Sequence, residues 1–144
     1  GMEQDADFLI DSTGMPFAGG GLNPVLRDMA RFGEAMRCDG YGNGGQNIAR
    51  AAVAAVKAGG SKAAFAPAGY QWLKDGSYTR QWWIMPGNNG AFSARGIHGQ
   101  AIYVDPAAEV VIARFGSHPI AANTAFDHTS LPAFRAVADH LARG

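Results

Sequence analysis

The stretch FSARGIHGQAIYVDPAAEVVIARF, residues 92 to 115, holds three runs rich in β-branched and aromatic residues, separated by glycines and by an Asp-Pro pair. Aromatic and β-branched runs bounded by turn residues read as strands. The expected strands are Phe92 to Arg95, leading into Gln100 to Val104, and Glu109 to Phe115. The Val110-Val111-Ile112 run marks the last of these as buried. With only a few residues between them, the last two strands must pair as an antiparallel hairpin through Asp105-Pro106.

Upstream, turn pairs at Asp75-Gly76 and Gly87-Asn88-Asn89-Gly90 extend this pattern into a meander with strands over Tyr70 to Lys74 and Thr79 to Met85. Two helices are expected before it. Asn23 can cap the first, over Pro24 to Arg37, where Val25, Met29, Phe32 and Met36 recur at helical spacing. Gln46 to Ala58 forms the second, with Ile48, Ala52, Val53 and Val56 on one face, and Gly59-Gly60 closes it. Ser130 caps a final helix to Arg143, with Leu131, Phe134, Val137, Ala138 and Leu141 along one side. The fold class is α+β: one domain over residues 1–144, an antiparallel sheet with flanking helices. The first 21 residues read as an irregular lead-in. Gly1 before Met2 has the form of a tag scar.

Charge excludes one class of partner. Twelve basic residues balance twelve acidic ones, with no basic stripe, so no nucleic-acid partner is expected. No apolar run approaches the roughly 18 residues of a spanning helix, so no membrane partner is expected either. The first residues, Glu3, Gln4, Asp5 and Asp7, do not resemble a signal peptide. The compartment stays open between the cytoplasm and, for a longer parent, the periplasm. Cys38 stands alone and His98, His118, His128 and His140 are scattered, so no metal or other cofactor is expected.

Several motifs invite a catalytic reading. Gly40-Tyr41-Gly42-Asn43-Gly44-Gly45 matches G-x-G-x-x-G, but a helix rather than a strand precedes it, which favours an interhelical turn over a dinucleotide site. Tyr41 and Asn43 in the same turn imitate a Tyr-x-Asn pair. Asp127, His128 and Ser130 contain the residue types of a triad, yet no serine sits in a nucleophile elbow, and capping of the final helix is the favoured role. No serine is followed three residues later by lysine, so the Ser-x-x-Lys arrangement of attacking hydroxyl and adjacent base is missing. Gly96 and Gly99 bracket a short piece of backbone, as a tight bend would, and as close approach of a ligand to bare main chain would.

Taken together, Gly19-Gly20-Gly21-Leu22 with Arg27-Asp28-Met29-Ala30-Arg31-Phe32-Gly33, Gln81-Trp82-Trp83, Gly96-Ile97-His98-Gly99-Gln100 with Tyr103-Val104-Asp105-Pro106, and the Val110 to Phe115 strand resemble the β-lactamase-related serine hydrolases. Within them the resemblance is to the esterases and 6-aminohexanoate-dimer hydrolases, and it covers nearly the whole chain. It implies the C-terminal part of a β-lactamase/transpeptidase-like fold, with the catalytic serine, lysine and tyrosine upstream of the matched region. The family's third box falls on Ala94-Arg95-Gly96, where Ala94 departs from the usual cation. By position the resemblance makes the Ile97 backbone N–H, next to Gly96, an oxyanion-hole donor. Arg95 is the nearest substitute cation, and His98 a residue that could face the substrate.

The resemblance thus implies an amide or ester hydrolase whose small substrate is handled with a missing N-terminal segment, and a chain inactive by itself. Two rival readings stay open: a non-catalytic binding or assembly module, and an enzyme reconstituted with a separate N-terminal chain. The family continues the Glu109 to Phe115 strand with strands of that N-terminal segment. The bare edge of this chain is therefore expected to recruit a second copy as a homo-oligomer.

Overall fold

The computed structural model describes residues 2–143; the glycine at position 1, read above as a tag scar, lies outside them. Five strands form one antiparallel sheet in sequence order: β5 (Ser77–Thr79), β6 (Trp82–Ile84), β7 (Phe92–Arg95), β8 (Ala101–Asp105) and β9 (Val110–Arg114). Before them come a small hairpin of β1 (Asp7–Phe8) and β2 (Leu22–Asn23), helix α1 (Leu26–Arg37), and a second hairpin of β3 (Tyr41–Gly42) and β4 (Gly45–Gln46). Helices α2 (Arg50–Lys57) and α3 (Lys62–Phe65) complete this part, and α4 (Asp127–Leu141) follows the sheet.

Every residue of β8 is buried. The alternation of side chains across the strand explains this, because each face meets a helical layer. On one face Ile102 and Val104 join Phe92, Trp82, Met36 of α1, and Val53 and Val56 of α2. On the other, Ala101 and Tyr103 join Ala91, Val110, and Phe134 and Ala138 of α4. The hairpin register is Asp105↔Val110 through Ala101↔Arg114, as the Asp105-Pro106 turn predicts. Asp105 itself is 2% exposed and accepts from the Ala108 N–H (3.1 Å), Asn89 Nδ2 (2.5 Å) and the Tyr103 hydroxyl (3.2 Å). Burial and the Asp105 carboxylate together hold the Tyr103 phenol well above its usual range.

Close packing of α1 on the sheet depends on Gly33. A Cβ there would lie 2.6 Å from Val111 Cγ1 and 2.8 Å from Ile102 Cγ2. The same helix buries Asp28, which accepts from the Glu3 and Gln4 N–H groups and from Arg31. Burial alone would raise the Asp28 carboxyl, but these donors reverse the effect and hold it below the usual carboxylate range.

The structure corrects several boundaries. Helix α1 has Val25 at its N-cap with no side-chain cap, while Asn23 belongs to β2 and its side chain donates to the Gly21 carbonyl. Helix α2 starts at Arg50 rather than Gln46, because Asn43 (φ 48°) and Gly44 (φ 79°) form a two-residue hairpin turn that draws Gln46 into β4. Tyr70 to Lys74 is not a strand: Gln71–Leu73 is a single 3-10 turn following Gly69 at φ 70°. A second two-residue turn at Arg80 and Gln81, both at positive φ, splits the expected Thr79 to Met85 strand between β5 and β6. The last helix begins at Asp127, with Ser130 inside it.

Replacing Gly33 with leucine should therefore lower stability by about 1–3 kcal/mol despite leucine's better helix propensity, since the new side chain must displace Val111 and Ile102. Urea unfolding followed by circular dichroism measures the loss.

Candidate functional site

Between β7 and β8 the chain makes a five-residue connection, closed by the Gly96 N–H donating to the Gln100 carbonyl at 2.9 Å. Its centre, Ile97–Gly99, is one 3-10 turn that runs into the left-handed region at His98 (φ 55°) and Gly99 (φ 88°). Glycine is required at 99 on two grounds: the positive φ, and the His118 ring, which a Cβ would approach to 2.9 Å. The bracketing glycines thus mark a tight bend, with Gly96 exposed and Gly99 buried.

Ile97 sits at the tip of the turn and is 65% exposed. Among the described residues the N–H of Ile97, the first residue of the turn, has no protein acceptor. His98 is half-buried and directs its Nδ1 to the His118 carbonyl at 2.8 Å. A carbonyl can only accept, so Nδ1 carries the proton and Nε2 of a neutral ring is left as an acceptor.

Arg95 occupies a different place from the one expected of a substrate cation. Its side chain is 6% exposed, forms an ion pair with Asp127 at the start of α4, and stacks over Trp83 with 5.1 Å from Cζ to the ring centroid. Burial lowers the Arg95 guanidinium and raises the Asp127 carboxyl, and their mutual attraction offsets this only in part. With its charge engaged there, Arg95 ties β7 to α4. Arg114 does the same for β9: its Nε donates to the Gly99 carbonyl (2.8 Å), its Nη1 donates to Ser130 Oγ (3.0 Å), and its Cζ lies 4.7 Å from the Phe134 ring centroid.

These contacts settle the other motifs. Asp127 and Ser130 anchor α4 to the two arginines rather than capping the helix, and no hydrogen bond joins exposed His128 to either. Tyr41 and Asn43 lie on the surface hairpin, with Tyr41 52% exposed. Two surface concavities of about 360 and 380 Å³ are lined by Lys62 to Gly76 and by residues of α1 with the β3–β4 region, respectively. Neither includes residues 95 to 98. Sequence reading missed Gln100, Arg114 and Asn123, whose side chains fix the turn to segments 15 to 27 residues away.

No family model matches the chain. It is 40% identical over 118 residues to a 6-aminohexanoate-dimer hydrolase of Paenarthrobacter ureafaciens, a match covering 81% of this chain and 30% of that protein. A solved structure from Bacillus anthracis, provisionally given the same name, superposes with a TM-score of 0.81 at 31% identity over 99% of this chain and 35% of its own. Over the part it spans, the chain is similar in sequence and fold to 6-aminohexanoate-dimer hydrolases. That part is about a third of the length of the relatives it matches. The described residues contain no helix long and apolar enough to cross a membrane.

Removing one member of the buried Arg95–Asp127 pair should cost more than replacing both. Asp127→Ala is expected to lower stability by about 3–5 kcal/mol, and Arg95→Met with Asp127→Leu to recover most of it. Denaturant melts of the two variants measure the difference.

Proposed function

We propose that this chain forms the oxyanion wall of a serine hydrolase acting on a small amide or ester, with nucleophile and base supplied by a segment outside residues 1–144. The observation that carries the reading is the N–H of the exposed residue Ile97, held in a fixed turn without an acceptor. A preorganised dipole of that kind stabilises the charge that develops on a carbonyl oxygen as it becomes tetrahedral. Gly96 allows the turn, and His98 Nε2 is the adjacent side-chain group available to a substrate. The kinship with 6-aminohexanoate-dimer hydrolases supports an amide substrate, and the absence of Ser-x-x-Lys supports inactivity of this chain by itself.

The remaining two thirds of the Paenarthrobacter enzyme, supplied in trans, provide the test. Neither piece should hydrolyse the 6-aminohexanoate dimer alone, and the mixture should. Ile97 opens the 3-10 turn and follows Gly96 at ψ 171°, a position where proline suits the backbone and removes the N–H together with a side chain that is exposed. Ile97→Pro should then reduce the rate of the mixture roughly 10²–10³-fold. Hydrolysis by this chain alone, or one serine labelled by a fluorophosphonate, would overturn the proposal.

A second reading, self-association, is favoured by the open side of β9. This strand ends the sheet among the described residues, carries Val110, Val111 and Ile112 in succession, and contains no proline. Its unpaired backbone groups favour a second copy across a two-fold axis when no other segment covers them. Light scattering should give twice the 15.1 kDa chain mass at micromolar concentration, or a higher multiple. A stable monomer would refute this.

A further inference from the structure

The segment following β9, residues 116 to 123, runs alongside the Gly96–Gln100 turn without forming a strand. Its hydrogen bonds to the turn are nonetheless ordered as in an antiparallel pair. Gln100 Nε2 donates to the Gly116 carbonyl (2.7 Å), and the Gly116 N–H donates back to Gln100 Oε1 (3.1 Å). The His118 N–H donates to the His98 carbonyl (3.0 Å), and the His98 N–H donates to the Ala121 carbonyl (3.1 Å). At the far end, Asn123 Nδ2 donates to the Gly96 carbonyl at 2.8 Å.

We infer that Gln100 and Asn123 are positioning residues that bind this strap to the turn and thereby keep the Ile97 N–H presented. A primary amide offers the same donor and acceptor as a peptide group. Gln100 therefore completes, with its side chain, the pairing that a strand would complete with its backbone. Close approach of the two segments depends on Gly116, where a Cβ would lie 2.7 Å from the His98 carbonyl oxygen and 2.8 Å from the Gly99 carbonyl carbon. The arrangement satisfies the backbone on either side of Ile97 and leaves the Ile97 N–H itself unpaired. The purpose assigned to the strap rests on the oxyanion reading, whereas its mechanical action does not.

Amide hydrogen exchange on the isotopically labelled chain separates these points. Asn123→Asp keeps the shape but loses the donor, and Gln100→Leu loses both groups. Exchange of the His98 amide should accelerate by about tenfold in Asn123→Asp, the effect of one ordinary hydrogen bond, and by at least as much in Gln100→Leu, which loses two, and each should shift the Ile97 resonance. Exchange at Val104, in the sheet core, should be unchanged. An unchanged His98 amide, or equal acceleration at Val104, overturns the proposal, the latter because it reports global destabilisation only. Local loosening that leaves the rate of the two-piece hydrolase unaltered would uphold the strap and count against the oxyanion role.

Discussion

Burial of β8 on both faces is the constraint from which the remaining architecture follows. Five consecutive buried residues, Ala101 to Asp105, demand an apolar layer on each side, since the side chains alternate between faces. Helices α1 and α2 cover Ile102 and Val104, and α4 covers Ala101 and Tyr103. A slip of one residue would exchange these two sets, and Asp105, buried and bonded to the turn that follows it, opposes such a slip. Because β8 is fixed in this way, the connection that enters it, Gly96 to Gln100, is fixed at its C-terminal end as well.

The parts of the fold governed by neighbouring residues were legible in the sequence. Phe92–Arg95, the Asp105-Pro106 hairpin and the end of α1 at Arg37 depend on local alternation and on turn chemistry, and the structure places them where these signals do. Tyr70 to Lys74 misleads because its aromatic residues suggest a strand. Tyr70 instead packs in an aromatic cluster, stacked on Phe65 and edge-on to Trp83, a tertiary arrangement with no period of its own. At Asn43-Gly44, Gly-rich spacing concealed a hairpin signal and shifted the start of α2.

The candidate site was legible only in outline. Two glycines marked a bend, and resemblance singled out Ile97, but nothing near Arg95 in sequence announces Asp127, 32 residues away. The same is true of Asn123, 27 residues from the Gly96 carbonyl it holds. Such contacts come from the assembled layers, where α4 and the segment preceding it close over the end of the sheet.

That closure also determines the electrostatics of the turn. The guanidinium groups of Arg95 and Arg114 are both directed to structural partners: one to Asp127 and Trp83, the other to Gly99, Ser130 and Phe134. The residue exposed at the tip, Ile97, carries no side-chain charge. A free cation there would attract an anionic ground state, and binding substrate and transition state equally well does not accelerate a reaction. A fixed N–H acts more strongly as charge accumulates on the carbonyl oxygen, and it needs no reorganisation when that happens. Under the proposed function, Ala94, where the family's third box usually has a cation, and the sequestered arginines would have a common consequence: a wall that favours a neutral amide or ester and reserves its strongest interaction for the tetrahedral oxyanion.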